Sequence, residues 1–241
     1  MKTPKKISEL TVYRLSIYER CLELLEKERI TTISSKEFAE RFGLNSAQVR
    51  KDLAYFGEFG VRGIGYEVTL LKTEIMRILG ILESSSGKNP WKTIVVGAGK
   101  LGSAILRYEG FKSHGFEIVA AIDIDTRESE YQRTLKAQEP AVPLYHISEM
   151  EEVIKTQGIQ IGILTVPEER AQEIAKNMAG AGIRAILNFA QVQLFLPRSV
   201  KVRHIDMTAE LQCLTYFLSS LEQQTEDYDV KTQRRAWDTE T

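Results

Sequence analysis

The sequence predicts an α/β protein with a small helical N-terminal domain, a doubly wound parallel sheet and a C-terminal helix. Three observations support this fold class. Short apolar runs alternate with helical patterns in the second part of the chain. The first of these runs leads into a glycine-rich turn at residues 97–102, and the roughly ninety residues before it carry two short capped helices and a glycine-rich hairpin. A length of 241 residues, 43% of them apolar, fits two domains better than one.

The clearest break in the chain is the small, polar segment 84–90, which ends in a proline. It separates a first domain, residues 1–84, from a sheet domain, residues 91–205. A helix is predicted over 206–222, and the polar stretch 223–241 is predicted to be a disordered tail. The predicted helices of the first domain include Ser8–Glu26 and Lys72–Leu82, and the predicted strands of the second are Thr93–Val96, Glu117–Ile122, Gly162–Val166 and Ile183–Phe189, with an edge strand over 200–205.

Charge and composition narrow the class of protein. The formal net charge is −1, so nucleic-acid binding would need a local basic patch. Cys21 and Cys213 lie far apart in apolar helical stretches, which favours buried thiols over a redox or metal role. Neither a secretory leader nor a run of about twenty apolar residues is present. We therefore expect a soluble, cytoplasmic protein with no membrane partner.

The glycine-rich turn has the pattern of a dinucleotide site. A buried strand precedes it and an apolar helix follows it, which is the context that Gly-x-Gly-x-x-Gly requires. The glycines allow a tight turn, close approach of the backbone to phosphates and close packing of helix on strand, while the amide end of the helix faces the anion. The second domain is therefore predicted to be of the Rossmann type. The predicted cofactor contacts in the turn are Gly97, Ala98, Gly99, Lys100, Leu101 and Gly102.

The second strand ends in an acid, Asp123, 21 residues beyond Gly102. A carboxylate there accepts hydrogen bonds from both adenosine ribose hydroxyls and repels a ribose phosphate, which favours NADH and NAD+ over their phosphorylated forms. The alternative role for Asp123 is a turn residue at a strand end, and Asp125 is a candidate to share the cofactor role. Later strand ends are predicted to line the nicotinamide half, against ordinary loop roles. The residues there are Thr165, Val166, Pro167 and Asn188.

The sequence lacks the parts of a dehydrogenase. Such an enzyme needs a general acid or base beside the nicotinamide and usually a second domain for its substrate. Tyr108 and Lys112 have the YxxxK spacing of short-chain reductases, but they follow the glycine turn directly, at the wrong end of the fold for that dyad. The three histidines, His114, His146 and His204, have neither triad nor metal spacing. No catalytic residue and no metal site is predicted.

The first domain carries the signals of a helix-turn-helix. Residues 34–37 form a capping box that opens one helix, and Gly43 supplies its left-handed end. Asn45 caps a second helix, Ser46–Phe56, which Gly57 closes. Two short helices joined by a glycine turn of three or four residues have the spacing of a DNA-binding motif. The alternative is a small protein-interaction domain with a solvated charged face.

The second of these helices is the predicted recognition helix, because Val49, Leu53 and Phe56 fall on one face and anchor it to the core. The opposite side offers small alanines for close approach to the groove, cations that reach guanine and a glutamine that reads adenine. The stretch 59–66 is predicted to be a wing whose tip enters the minor groove. The predicted DNA contacts are Ser46, Ala47, Gln48, Arg50, Lys51 and Tyr55 on the helix and Arg62 and Gly63 on the wing.

Both halves of the sequence resemble the Rex family of redox-sensing transcriptional repressors. Residues 46–57 and the wing residues 60–66 are similar to the family's winged-helix DNA-binding pattern, and the glycine turn is similar to its NAD(H) turn. The similarity runs from about residue 4 to residue 222. The resemblance implies a homodimer that binds double-stranded operator DNA when NADH is scarce and releases it when NADH accumulates.

The resemblance also implies a switch near the cofactor. In this switch Arg14 of the first helix, Tyr108, and Asp206 of the other subunit change partners between the two states. On the residues alone, Arg14 and Tyr108 would be surface residues and Asp206 a helix cap. Met207 stands where some family members place an aromatic residue against the nicotinamide, which leaves a stacking contact at that position without support.

The last predicted helix supports a dimer. Its apolar residues repeat at spacings of 4, 3, 4 and 3, a seam suited to another helix. These residues are Met207, Leu211, Leu214, Leu218 and Leu221. The alternative is packing on the chain's own sheet, whereas the resemblance implies exchange of the helix between subunits.

The two signatures together favour a sensor over an enzyme. A chain that binds both a nucleotide and DNA is predicted to be a metabolite sensor, and the resemblance implies a transcriptional repressor whose ligands are NADH and NAD+. The main alternative is an NAD-dependent oxidoreductase with an N-terminal interaction domain. A further alternative is a sensor of another nucleotide, such as coenzyme A.

Overall fold

The computed structural model describes residues 7–57, 59–61, 63–126 and 142–219. The chain divides into two compact units: the first combines Met1–Trp91 with Tyr108–Glu117, and the second combines Lys92–Arg107 with Ile118–Thr241. Arg62, Leu221 of the predicted seam and the predicted tail, 223–241, lie outside the described residues.

The helices and strands of the described residues are as follows in chain order. They are α1 (Glu9–Lys27), β1 (Thr32–Ile33), α2 (Ser35–Phe42), α3 (Ser46–Ala54), β2 (Gly60–Val61), β3 (Gly65–Glu67), α4 (Val68–Ile78), α5 (Leu82–Ser85), β4 (Trp91–Val96), α6 (Lys100–Leu106), α7 (Gly110–Ser113), β5 (Phe116–Asp123), β6 (Leu144–His146), α8 (Met150–Gln157), β7 (Ile161–Leu164), α9 (Glu168–Ala181), β8 (Ala185–Asn188) and β9 (Lys201–His204). A last helix, α10, covers residues 207–219.

The first unit is helical with a small antiparallel sheet of strand order β1-β3-β2. The apolar face predicted for α1 is confirmed, since Leu15, Tyr18, Leu22 and Leu25 are all buried. They share one hydrophobic core with residues of α2, α3 and α4. Two short helices followed by a β-hairpin form the winged-helix arrangement, so this part of the predicted fold class is confirmed.

The helix after the hairpin differs from the prediction of a single helix over Lys72–Leu82. α4 begins at Val68, because the Glu67 side chain accepts hydrogen bonds from the backbone N–H groups of Thr69 and Leu70 and so caps an earlier start. It ends at Ile78, two residues before Gly80 takes a left-handed conformation with φ 72°.

The segment 108–117 packs with the first unit, although it follows α6 in the chain. The backbone N–H of Trp91 donates to the Gly115 carbonyl over 2.8 Å. Gly115 has φ +84°, and an added Cβ there would lie 2.7 Å from the Ser84 Cβ. This close approach fixes the segment against the end of the first ninety residues.

The second unit is a six-stranded sheet of order β6-β5-β4-β7-β8-β9. The pairs β4–β7, β5–β6, β7–β8 and β8–β9 are parallel, and the chain first winds outward from β4 to β6 and then in the other direction from β7 to β9. This is the doubly wound order of a Rossmann sheet. The predicted edge strand is confirmed as β9, whereas β6, only three residues long, was not predicted.

The register of the sheet brings several predicted site residues to one edge. Val96 pairs with Leu164, Leu164 with Asn188, and Asn188 with His204. Asp123 ends β5 and pairs with His146. Because ligands in such sheets bind beyond the carboxyl ends of the strands, at the point where the winding reverses, the glycine turn after β4 lies at the expected ligand edge.

Candidate functional site

The three glycines of the turn have different surroundings, and these explain the spacing. Gly97 has φ +100°, and an added Cβ would lie 2.6 Å from the Thr165 carbonyl oxygen. A Cβ on Gly102 would lie 1.8 Å from the Gly97 carbonyl oxygen. Around Gly99, in contrast, no protein atom lies within 4 Å of an added Cβ. The first and third glycines therefore permit tight packing, and the second leaves open space in which the backbone could approach a ligand.

This space adjoins the amino end of α6. Gly99 is the N-cap residue and supplies no side chain to the first amides of the helix. Lys100 and Leu101 are exposed on this first turn, while Ala98 is fully buried beneath it. Amides at a helix start that lack a side-chain cap are suited to phosphate oxygens. The residues present therefore fit a dinucleotide pyrophosphate.

Asp123 lies directly against the glycine turn. Its Oδ2 accepts from the backbone N–H of Ala98 over 2.5 Å, and its Oδ1 accepts from the backbone N–H of Asp125 over 3.1 Å. An ionised carboxylate has about four acceptor positions, so two remain for further donors. The placement of Asp123 fits a role in binding ribose hydroxyls, and its bonds to backbone amides also stabilise the turns around it. The cofactor role and the turn role are therefore compatible in one residue.

The structure places Thr165 behind the glycine turn. Its hydroxyl donates to the carbonyl oxygens of Gly97, at 2.7 Å, and Val96, at 3.1 Å, and so holds the turn in place. Val166 is half-buried next to Gly97, and Pro167 is the exposed N-cap residue of α9. The turn is thus supported from β7 as well as from β5.

Asn188 is fully buried at the end of β8, and its amide is engaged within the chain. Its Nδ2 lies 2.9 Å from the Ala190 carbonyl oxygen and 3.0 Å from the His204 Nδ1, and its Oδ1 accepts from the backbone N–H of Ala190. These bonds shape the loop after β8. Any contact of Asn188 with a ligand would have to share them.

In the first unit both predicted caps of the helix pair are confirmed. Ser34 Oγ accepts from the backbone N–H of Glu37 over 3.1 Å, and Gly43 ends α2 with φ 63° and ψ 33°. Asn45 Oδ1 accepts from the backbone N–H of Gln48 over 3.0 Å and so starts α3. α3 itself is two residues shorter than predicted, since it ends at Ala54.

The two faces of α3 are as predicted. Val49 and Leu53 are buried and Phe56 packs partly against the same core. The candidate DNA contacts Ala47, Arg50, Lys51 and Tyr55 are exposed, and Ser46 and Gln48 are half-exposed. Arg50 Nη1 donates to Ser35 Oγ at 3.1 Å, which holds this cation beside the start of α2. The exposed side therefore presents cations, a small residue and an amide together.

The wing is a short hairpin whose turn includes Gly63, with φ +85°. Val61 and Ile64 are exposed on it. An open cleft of about 500 Å³ runs between α3 and the hairpin, with Arg50, Ala54 and Gly63 among its lining residues. Gly65 anchors the hairpin, because an added Cβ would lie 2.4 Å from the Ile33 carbonyl oxygen.

Sequence reasoning missed a buried polar network beneath α3. Asp52 of α3 is 3% exposed and accepts hydrogen bonds from Arg14, Tyr18 and Gln48. Arg14, expected from the residues alone to lie on the surface, is half-buried, with 28% of its side chain exposed, and is paired with Asp52. The available signal was spacing: Arg14 and Tyr18, four apart on α1, both lie on the side that packs inward, and Gln48 and Asp52 are four apart on α3.

The three predicted switch residues each have local partners. Arg14 binds Asp52 within the first unit. Tyr108 is 61% exposed, and its ring packs edge-to-face on Phe111 with centroids 5.0 Å apart. Asp206 caps α10 by accepting from the backbone N–H groups of Thr208 and Ala209, as its local sequence indicated.

The last helix exposes an apolar seam. Met207, Leu211, Leu214 and Leu218 are between 58% and 62% exposed, and Phe217 beside them is 61% exposed. A cluster of apolar side chains of this extent is typical of an interaction surface. Cys213 on the same helix is exposed, so the prediction that both thiols are buried holds for Cys21 only.

Within residues 7–57, 59–61, 63–126 and 142–219, no group of three or more His, Cys, Asp or Glu side chains is arranged to hold a metal ion. Within the same ranges, none of the helices combines the length and apolar character needed to cross a membrane.

Comparison with known proteins bears on both units. A family model described as putative DNA-binding protein N-terminus matches residues 6–54, and one described as CoA binding domain matches residues 88–192. Among solved structures, RSP, described as a Rex-family repressor, has been crystallised with NADH and with NAD+ and operator DNA. The complex with NAD+ and DNA superposes with a TM-score of 0.78 at 33% identity, over 92% of this chain and 97% of that one.

Curated relatives agree with this likeness. The redox-sensing transcriptional repressor Rex of Desulforamulus reducens is 45% identical over 214 residues, which is 89% of this chain and 96% of the relative. The Rex protein of Carboxydothermus hydrogenoformans is 44% identical over 216 residues, 88% and 96% of the two chains, and Rex 1 of Thermotoga maritima is 42% identical over 215 residues, 89% and 95%. Identity of this extent along nearly the whole of each relative shows that the chain belongs to the Rex family of redox-sensing transcriptional repressors.

Proposed function

We propose that this protein represses transcription in response to the ratio of NADH to NAD+: it binds operator DNA when NADH is scarce and releases the DNA when NADH binds. The observation that carries the proposal is the presence, in one chain, of an open glycine turn with Asp123 against it and a winged-helix unit that exposes Arg50, Lys51 and Tyr55. The Rex relatives, named as repressors rather than enzymes, support it, as does RSP with its NADH and operator complexes.

The carboxylate at the end of β5 favours NADH and NAD+ over other nucleotides. Asp123 keeps acceptor capacity beyond its two backbone bonds, which suits two ribose hydroxyls. Coenzyme A, the ligand named in the description of the second family model, carries a phosphate on its ribose. The Asp123 carboxylate beside that ribose would repel the phosphate. When bound, the cofactor supplies two redox forms that differ only at the nicotinamide ring, so discrimination must arise at that end of the site.

The proposed mechanism is reciprocal linkage between the two ligands. If NADH favours a dimer whose two α3 helices no longer match the operator half-sites, DNA must weaken NADH binding by the same factor. Typical coupling free energies of about 1 to 3 kcal/mol correspond to about 5- to 150-fold. A ligand with equal affinity for both forms would shift nothing.

The apolar seam on α10 supports a homodimer, because a second copy of the helix would cover its exposed leucines. The proposed switch, Arg14 and Tyr108 of one subunit with Asp206 of the other, follows from the family resemblance. We also propose that residues 1–84 bind DNA, that residues 91–205, apart from the segment 108–117 that packs with the first unit, bind the cofactor, and that residues 206–222 dimerise. Operator binding would place the protein in the compartment that holds the chromosome, the cytoplasm.

The test is a DNA-binding titration at fixed salt with a palindromic operator duplex and rising NADH. Operator affinity should fall by a factor within the range above, and saturating DNA should reduce NADH affinity equally. Equal operator affinity with and without saturating NADH would refute the proposal. Steady oxidation of NADH with a carbonyl substrate would instead favour the oxidoreductase.

The switch residues need variants that preserve the local structure. Arg14→Ala would also strip Asp52 of its ion pair, so Asp206→Asn and Tyr108→Phe are the cleaner changes. Asparagine at 206 can still cap α10 while losing its charge. Both variants should bind each ligand but lose the coupling, and Glu210→Gln, one turn along α10, is the control. Full NADH-driven release by both variants would remove this network from the mechanism.

A further inference from the structure

We propose that Asp52 is a specificity-determining positioning residue: its buried carboxylate orients the side-chain amide of Gln48 for reading one base of the operator. The proposal rests on the DNA-binding role proposed above and adds to it a residue that does not itself contact DNA. It also gives Arg14 a second task, which is to hold Asp52 in place beneath α3.

The Asp52 carboxylate is fully surrounded by donors. Arg14 donates from Nε to Oδ2 over 2.6 Å and from Nη2 to Oδ1 over 2.8 Å, a bidentate ion pair. Tyr18 donates its hydroxyl to Oδ2 over 3.0 Å, and Gln48 donates Nε2 to Oδ1 over 2.8 Å. These four bonds use the whole acceptor capacity of a carboxylate. The Asp52 side chain is thus held by Arg14 and Tyr18 of α1 and in turn binds Gln48, one turn earlier on its own helix, α3.

The charge state of Asp52 determines which way the Gln48 amide faces. Burial opposes ionisation of this carboxyl group, but the hydrogen bonds from Arg14, Gln48 and Tyr18 outweigh burial and hold its pKa below the ordinary value. An ionised carboxylate only accepts hydrogen bonds, so the NH2 group of Gln48 must face it. The carbonyl oxygen Oε1 is then turned away from Asp52.

Gln48 is placed to use this orientation. It lies in the first turn of α3, three residues after the N-cap Asn45, and is half-exposed beside the candidate DNA contacts. Its second N–H and its Oε1 remain as one donor and one acceptor. That pair matches the N7 acceptor and N6 donor that adenine presents in the major groove. Without Asp52 the amide could rotate by half a turn and exchange the two.

The proposal predicts an effect confined to one base pair. An asparagine at position 52 can place its Nδ2 where Oδ1 lies, so that it donates to Gln48 Oε1 and turns the Gln48 amide over. Its carbonyl oxygen then takes the place of Oδ2 and still accepts from Arg14 Nε and Tyr18, while the bond from Arg14 Nη2 is lost. The preference for adenine at the Gln48 position should then fall by about tenfold or more, with the other positions unchanged. A merely structural role for Asp52 would weaken binding to every operator alike.

The experiment measures affinity for an operator and for each of its single base-pair substitutions. Asp52→Asn and Gln48→Ala should lose preference at the same base pair, and Asp52→Asn in the Gln48→Ala background should cause no further loss there. Glu26→Gln, which breaks the ion pair with Lys72 on the same unit, is the matched control and should keep the full preference. Unchanged preference in Asp52→Asn, or equal loss at all positions, would overturn the proposal.

A second measurement covers the case in which Asp52→Asn does not fold. Side-chain ¹⁵N relaxation of the unaltered protein should give the Gln48 amide an order parameter well above 0.6, as for a fixed group. A lower value would overturn the proposal. The proposed function and the role of Asp52 fail in different ways. A wild-type protein with no operator preference refutes the proposed function, whereas adenine preference that survives in Asp52→Asn refutes only the role of Asp52.

Discussion

Replacing Gly99 with alanine should weaken cofactor binding without harming the fold. The residue has φ −69° and ψ −161°, an extended conformation that alanine adopts without strain. An added Cβ would meet no protein atom within 4 Å, so the methyl group would stand only in the space proposed for the pyrophosphate. Alanine is a poorer N-cap than glycine but restricts the unfolded chain, and these opposite effects on stability are each about 0.5 to 1 kcal/mol.

The expected loss of affinity follows from the hydrogen bonds at stake. A methyl group pushes the phosphates away from the backbone amides and forfeits at least one hydrogen bond to a charged group, which contributes about 1.5 to 3 kcal/mol. NADH affinity should therefore fall by about 10- to 100-fold. The free energy of unfolding without ligand should change by less than about 1 kcal/mol.

Calorimetric titration with NADH and thermal unfolding of the ligand-free protein check the two parts. Gly180→Ala, an exposed helix position with no protein atom within 4 Å, is the control and should keep wild-type NADH affinity. Gly102→Ala should lose both affinity and stability, because its Cβ would lie 1.8 Å from the Gly97 carbonyl oxygen. Wild-type NADH affinity in Gly99→Ala would refute the assignment of this space to the pyrophosphate.

Three other substitutions test separate parts of the molecule. Asp123→Ala should reduce NADH affinity and leave operator binding intact; unchanged affinity in titrations would exclude Asp123 from the site. Lys51→Ala should relax sequence preference and lower the slope of log operator affinity against log salt concentration by about one, as measured at several salt concentrations. An unaltered slope would argue against a phosphate contact of Lys51. Gly65→Ala should destabilise the first unit by about 1 to 3 kcal/mol in denaturant unfolding, because φ is +104° and the Cβ would lie 2.4 Å from the Ile33 carbonyl; wild-type stability would contradict this.

Features that depend on neighbouring residues could be predicted from the sequence. The caps at Ser34 and Asn45 act within three residues, and a glycine such as Gly43 ends a helix by its own backbone freedom. The alternation of apolar runs with helical patterns also predicted the doubly wound sheet, because each of those runs is long enough to be recognised as a strand. β6 has only three residues and no such pattern, so it was missed.

What could not be predicted depends on pairs that are distant in the sequence. Asp52 is 38 residues from Arg14 and 34 from Tyr18, and nothing local distinguishes it from a solvated acid. The hydroxyl of Thr165 supports Gly97 across 68 residues for the same reason. In both cases tertiary packing decides the role of a polar side chain, and a single sequence does not record it.

The placement of residues 108–117 has a consequence for how the protein can be assembled. The first unit is still incomplete when Trp91 leaves the ribosome, since the partner of its backbone N–H, Gly115, has yet to be made. A fragment that stops at residue 91 would lack the cover that Gly115 provides for Ser84, which is buried in the full chain. The two units thus alternate along the chain, and each is built from two separate stretches of sequence. Neither unit could therefore be moved into another protein as a single continuous segment.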